Sequence, residues 1–314
     1  MQKNPKVSII TTTYNDESFI EECIKSALRQ TYENWEQIIV DDNSTDETAK
    51  IARKYSERYS RINLLTNETN RGIWKLQENY NQALKLSSGK LIAILEGDDK
   101  LPENKLETQV KAFNNPNVVL SWGEGIKIDA NGRKIRKTRF KNVDWKVMKN
   151  QPIGNALNAL LLKNIITPAA TVMLRKKTLL NIEGFKQPSY CPFVDYPTWM
   201  VLSTMGEFVP LQKVMGMHRM HGSNVGRTML KESTLGGNKL RLNYYKEFKG
   251  KIEALRINLR EIRAANLYQQ SLYFLIREKY NKLPKNLIKA IFLDPKQLRD
   301  FIKPAARFLF TGTR

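Results

Sequence analysis

Val7–Thr12, Gln37–Val40, Ile62–Leu65 and Leu91–Leu95 are short apolar runs, and between them the apolar residues recur at helical spacing. Strand-length runs alternating with amphipathic helices predict a parallel sheet covered by helices, because each strand is buried on both faces and each crossover returns the chain to the same sheet. Phe19, Ile20, Cys23, Ala27 and Leu28 form the apolar face of the first predicted helix, with Ser18 and Glu21 as its expected capping box. Ser44 and Glu47 are the matching pair for the second helix, and Leu76, Tyr80, Ala83 and Leu84 line the third. Val118–Trp122 is expected as a fifth strand.

Polar residues gather where these strands end: Thr12-Thr13-Tyr14-Asn15, then Asp41-Asp42, then Asp98-Asp99. Open α/β sheets bind ligands outside the carboxyl ends of their strands, so three separate segments are expected to meet in one crevice. An apolar run that stops in paired carboxylates costs stability unless a cation offsets the charge. Mg²⁺ and Mn²⁺ take hard oxygen ligands from one or two carboxylates and a substrate phosphate. Gly97 allows close approach of a ligand to the backbone, and Pro102 suits a helix start. A metal-diphosphate site is therefore expected, with a strand followed by an acidic helix cap as the alternative.

The net charge of +21 over 314 residues is unevenly placed. Residues 1–125 hold 16 Lys and Arg against 19 Asp and Glu, whereas residues 126–238 and 239–314 each hold 18 against 6. The basic second half points to an anionic partner, whether membrane surface, nucleic acid or phosphorylated substrate, with a solvated surface as the plain alternative. Cys23 and Cys191 alone cannot build a disulfide framework and fit a reducing compartment. No apolar stretch reaches the roughly 18 residues of a membrane span, and the first strand follows Met1–Pro5 directly, so no signal peptide is expected.

Beyond residue 125, Arg133–Lys141 holds six cations in nine residues after Asn131-Gly132 and is expected as a solvated loop. Thr167–Leu174 reads as a strand, Gly184-Phe185 closes a short helix, Asp195 opens another, Val214–His218 reads as a late strand, and the chain is helical and basic from about Leu230. In the tail, Leu298, Phe301, Ile302, Ala305, Phe308 and Leu309 recur at helical spacing beside Lys296, Arg299, Lys303 and Arg307, with Pro304 as an expected kink. Such a helix lies on an anionic bilayer or packs on the preceding domain.

Val7–Asn15, Gln30-Thr31-Tyr32, Ile39–Asp46, Asn70-Arg71-Gly72, Glu96–Asp99 and Asp195-Tyr196 together resemble glycosyltransferases of family 2, whose nucleotide-sugar domain has the GT-A fold. The resemblance implies an α/β GT-A catalytic domain over 1–228, with a nucleotide-sugar half (1–125) and an acceptor half (126–228), and a basic helical region over 229–314. It implies that Thr12, Tyr14 and Asp42 hold the nucleotide base, that Asp98 approaches the ribose, that Asp99 meets the metal, and that Arg71 or Lys75 adds to the diphosphate clamp. Arg219-Met220-His221 resembles a late motif in which the histidine joins the metal or diphosphate. Asp195 matches the general base, which would take the acceptor's proton as its oxygen attacks in line and inverts the anomeric carbon. Val194 and Glu96 depart from the family, which often carries acidic residues and Asp there.

The Gln-x-x-Arg-Trp pattern of membrane-embedded polymerising relatives is absent, which implies transfer of one sugar at a time. The expected reaction is metal-assisted transfer from a UDP-linked donor to a lipid-linked or surface glycan, at the cytoplasmic face of the membrane. A nucleotidyltransferase of related fold would favour a glycine-rich, lysine-bearing loop after the first strand, where Thr11–Glu17 stands instead. A nucleic-acid-binding protein would explain the charge but not an acidic first half, so nucleic acid is not an expected partner.

Overall fold

The computed structural model describes residues 4–137, 144–277, 282–298, 301–302 and 305. Eight strands form one sheet: β1 (Val7–Thr13), β2 (Trp35–Asp41), β3 (Ile62–Thr66), β4 (Leu91–Ile94), β5 (Val118–Ile128), β6 (Lys134–Lys137), β7 (Met173–Arg175) and β8 (Glu207–Arg219). Their order is β3-β2-β1-β4-β7-β5-β6, with β8 pairing β5. β3 to β4 run parallel, β7 lies antiparallel to both β4 and β5, and β8 is parallel to β5. The first four strands are apolar on both faces because each face has its own cover. Ile9, Ile39 and Ala93 pack with the helix Ile20–Leu28, and Ile10, Ile38 and Ile92 pack with Tyr80, Ala83 and Leu84 of the helix Leu76–Leu86.

Neither expected capping box forms. Phe19 precedes the first helix without a side-chain cap, and Glu21 instead accepts from the Tyr55 hydroxyl at 2.9 Å. Glu47 precedes the helix Thr48–Arg58, while Ser44 donates to Asp41 Oδ1 at 2.5 Å, a buried acceptor that outcompetes a helix end. Over Thr167–Leu174 only the end is strand. Pro168 has no N–H for a ladder, and its carbonyl accepts from Thr171 N at 3.0 Å and Thr171 Oγ1 at 2.8 Å, closing a 3₁₀ turn over Ala169–Thr171. The basic run is not a free loop in its described part, since Lys134–Lys137 pairs with β5 and Lys137 Nζ lies 2.5 Å from Glu124; residues 138–141 lie outside the described residues.

The division expected at residue 125 falls inside β5, and β7 sits between β4 and β5, so both halves share one sheet. The C-terminal helices are Leu230–Phe248, Leu259–Ile276 and Leu283–Leu293. Leu240, Tyr244, Tyr245 and Ile262 complete the main core, while Tyr268, Leu275, Ala290, Phe301 and Ala305 form a separate small one. Phe301 and Ala305 of the tail thus pack inward; residues 299–300, 303–304 and 306–309 lie outside the described residues. Among the described residues no helix is long and apolar enough to cross a membrane.

At the end of the sheet away from the carboxylate cluster, Glu36 accepts from Lys6 Nζ (2.8 Å), Ser8 Oγ (2.6 Å) and Ser88 N (2.6 Å). Burial opposes its ionisation, but these donors outweigh that cost and hold its pKa down to about 2 from 4.5. The depressed value means that its stabilisation is present above pH 4.5 and is lost as pH falls through about 2. Glu36→Gln is expected to destabilise the fold by about 1–3 kcal/mol at pH 7, with the gap closing at low pH in urea titrations.

Candidate active site

The wall beyond β2 is built around Asp42. Its Oδ1 accepts from Asn67 Nδ2 (2.8 Å) and Arg71 N (3.0 Å), and its Oδ2 accepts from Gly72 N (3.0 Å). Gly72 holds φ at +71°, a left-handed value that lets the chain turn both N–H groups toward one carboxylate. Arg71 and Lys75 flank Glu78 on the same wall, at 3.7 and 4.0 Å. Tyr14 is 47% exposed on the loop after β1, and the Thr12 side chain hydrogen-bonds with the Tyr80 hydroxyl. Asn15, at φ +53°, fixes that loop by donating from its N–H to Ser44 Oγ at 2.9 Å.

At the end of β4 the chain must pass tightly beneath β1. A Cβ at Gly97 would lie 2.4 Å from Thr13 Oγ1 and 2.7 Å from Asp16 Oδ2, so only glycine fits. The two following carboxylates each meet a histidine delivered by β8 and the loop after it. Asp98 Oδ2 lies 2.9 Å from His221 Nε2 and accepts from Asn224 Nδ2 at 3.1 Å. Asp99 lies 3.1 Å from His218 Nδ1 and accepts from Arg219 N at 2.9 Å. Arg219 is 1% exposed and donates to the carbonyls of Asp98 (2.9 Å) and Ala130 (2.7 Å) and to Glu22 (2.5 Å), which fixes the acidic loop from behind.

The acidic residue expected to meet a metal is the less accessible one. Asp99 has a side-chain exposure of 2% and is held by His218, whereas Asp98 is 18% exposed and is the one beside His221. Sequence reasoning did not single out His218, Asp16 or the full role of Glu96. Burial alone would lower the His218 pKa, but Asp99 and then Asp98 raise it to about 9. Burial, followed by the charge of Asp98, raises Asp16 to about 7, and its Oδ2 accepts from Thr13 Oγ1 at 2.7 Å. Glu96, raised to about 8 by burial and then by Asp99 and Asp98, accepts from Tyr80 Oη at 2.9 Å. Among the described residues no three His, Cys, Asp or Glu side chains are grouped to hold a metal alone. Oxygen donors at Asp98 fit a hard cation whose remaining ligands come from a substrate phosphate.

Asp195 is the first residue of the helix Asp195–Leu202, with Val194 at the capping position, and its carboxylate accepts from the backbone N–H of Tyr196 in the first turn. It lines a small cavity with Tyr80, Ile94, Phe185 and Trp199. Burial raises its pKa above the usual carboxylate range, and the Tyr196 backbone N–H, followed by Asn164 Nδ2 donating to Oδ2 at 3.1 Å, partly restores the ionised form. If Asp195 accepts a proton in the reaction, the acid limb of kcat/KM lies above the ordinary aspartate value. Asn164→Ala is then expected to move that limb to higher pH, which a pH–rate profile measures directly.

A mostly parallel mixed sheet with carboxylates gathered at the strand ends, continued by C-terminal helices, is the GT-A architecture of glycosyltransferases. The mannosyltransferase PcManGT from Pyrobaculum calidifontis, in complex with GDP-Man and Mn²⁺, superposes with a TM-score of 0.60 at 19% identity, covering 99% of this chain and 80% of that one. S. aureus TarS 1-349 in complex with UDP-GlcNAc gives 0.56 at 16% identity, covering 94% and 92%. The model of glycosyl transferase family 2 matches residues 8–180, and the chain belongs to that family of glycosyltransferases. It is 36% identical over 198 residues to the UDP-Glc:alpha-D-GlcNAc-diphosphoundecaprenol beta-1,3-glucosyltransferase WfgD of Escherichia coli, covering 62% of this chain and 68% of that protein.

Proposed function

We propose that this glycosyltransferase moves one sugar from a UDP-linked donor to a hydroxyl of a lipid-linked or surface-polysaccharide acceptor, with inversion. The observation that carries the reading is the convergence of Asp42, the Asp98–His221 pair and Asp195, from segments far apart in sequence, at one end of the sheet. The name of WfgD and the UDP-GlcNAc bound to TarS favour a uridine donor, although PcManGT is seen with GDP-Man.

Tyr14 stacks on the base and Asp42 accepts its imide proton, with Thr12 as a further contact to the base. Arg71 and Lys75 bring positive charge toward the diphosphate. Asp98 and His221 would hold a divalent cation, which supplies Lewis-acid neutralisation of the leaving diphosphate; Asp99 orients His218 and the end of β8 behind that pair. Asp195 removes the proton from the acceptor hydroxyl as its oxygen bonds to the anomeric carbon and the bond to the nucleoside diphosphate breaks. The acceptor approaches along an open groove lined by Trp74, Tyr190, Leu235 and Lys239. Gln187 joins its two sides by donating to the carbonyls of Ile73 (2.7 Å) and Cys191 (3.0 Å).

Calorimetric titration with UDP, GDP, CDP and dTDP, with and without Mn²⁺ or Mg²⁺, tests the donor reading. Binding of UDP that strengthens with metal is the expected result. Silence toward all four nucleotides in the presence of metal overturns it.

A further inference from the structure

The helix Leu283–Leu293 is apolar on two sides, and among the described residues only one of them has a partner. Leu283, Leu287, Ala290, Ile291 and Leu293 pack against Ala264, Tyr268 and Leu275 of the helix Leu259–Ile276. Asn286 Nδ2 reaches Gln270 Oε1 at 3.3 Å, and Arg260 donates to the carbonyls of Phe292 (2.8 Å) and Leu293 (2.6 Å), which anchors the helix C-terminus. The helix is therefore held rigidly by one face. On the other, Ile288 and Phe292 stand one turn apart at 67% and 79% exposure, the two most exposed large apolar side chains among the described residues. Removing such side chains from water is favourable, so leaving both exposed is a standing cost.

What surrounds them identifies the partner. Lys285 and Lys289 are exposed at the same three- and four-residue spacing as Ile288 and Phe292, Lys282 is exposed at the start of the helix, and Lys296 is exposed in the turn beyond its end. The helix itself contains no acidic residue. Apolar tips set in a ring of cations match a surface with anionic phosphates at one level and hydrocarbon just beneath it. Nucleic acid offers the charge without a place for Phe292, and an acidic protein surface offers no hydrocarbon layer.

We infer that the outer face of Leu283–Leu293 docks on an anionic lipid bilayer, with Ile288 and Phe292 inserted below the headgroups and the lysines on lipid phosphates. The contact is separate from the sheet-end crevice, so it neither requires nor reports sugar transfer. It moves the membrane contact from the tail after Gln297 to the helix before it.

Flotation of the full chain with vesicles tests this. It is expected to float with vesicles of equal phosphatidylglycerol and phosphatidylcholine, and not with phosphatidylcholine alone. The double variant Ile288→Ser, Phe292→Ser is expected to lose vesicle partition roughly tenfold or more, with an unchanged far-UV spectrum and melting temperature showing that it folds. Lys285→Gln and Lys289→Gln are each expected to weaken partition about fivefold, an effect that fades in high salt. Failure of the parent chain to float, equal flotation with neutral vesicles, or unchanged flotation of the double serine variant overturns the inference. So does a parent dimer that the serine substitutions convert to monomer, since a second copy would then be the occupant.

Discussion

Asp195→Asn is expected to lower turnover by roughly 10²–10⁴-fold while donor affinity stays at the parental value. Asparagine preserves the volume of the side chain, and the amide can still reach Asn164, so the cavity beside Trp199 keeps its shape. What disappears is the only proton acceptor that the proposed reaction assigns to the acceptor hydroxyl. Steady-state kcat, set beside the calorimetric Kd for nucleotide, separates the two effects. Full turnover in the variant would remove Asp195 from the chemistry.

The neighbouring carboxylates are expected to part company in the same assays. Asp98→Asn removes the partner of His221 and Asn224 at the more open position, and metal-dependent nucleotide affinity is expected to fall by about 10–100-fold with little change in melting temperature. Asp99→Asn breaks the pair with His218. Its expected cost is about 2–3 kcal/mol of stability, less than a fully buried pair would lose because His218 is 31% exposed. If instead Asp99→Asn abolishes metal dependence and Asp98→Asn leaves it intact, the cation belongs to Asp99.

The first 125 residues were readable because β1, β2 and β4 are buried on both faces and leave apolar runs between helices. Asp42 and Asp98 stood out for a related reason, since a carboxylate at the end of a buried strand has little structural justification, whereas Asp195 was marked only by the resemblance to the family. Other parts left no such trace. His218 and Asp99 are 119 positions apart, and nothing local marks an imidazole as the partner of a distant acid. β7 was legible only as the end of a longer expected strand, Thr167–Leu174, and nothing local marked its place in the middle of the sheet. The predicted caps failed through competition, since Ser44 found a buried carboxylate closer than the helix end. Asp16 carried a faint signal, an acid in the loop after β1 beside the glycine of the next loop, but only the packing against Gly97 gives it meaning.

The place of β7 also bears on how the chain is made. β4 ends at Ile94 and waits for Met173, its neighbour on the far side, through about 80 further residues of synthesis. At roughly 5–20 residues per second the ribosome needs several seconds to deliver them. Throughout that interval Leu91–Ile94, among the most apolar segments of the protein, presents an open row of N–H and C=O groups. The nascent chain therefore has a built-in window of vulnerability to strand pairing between neighbouring polysomal chains. Its yield in a cell should depend on whatever chaperone shields that edge until residue 175 has emerged.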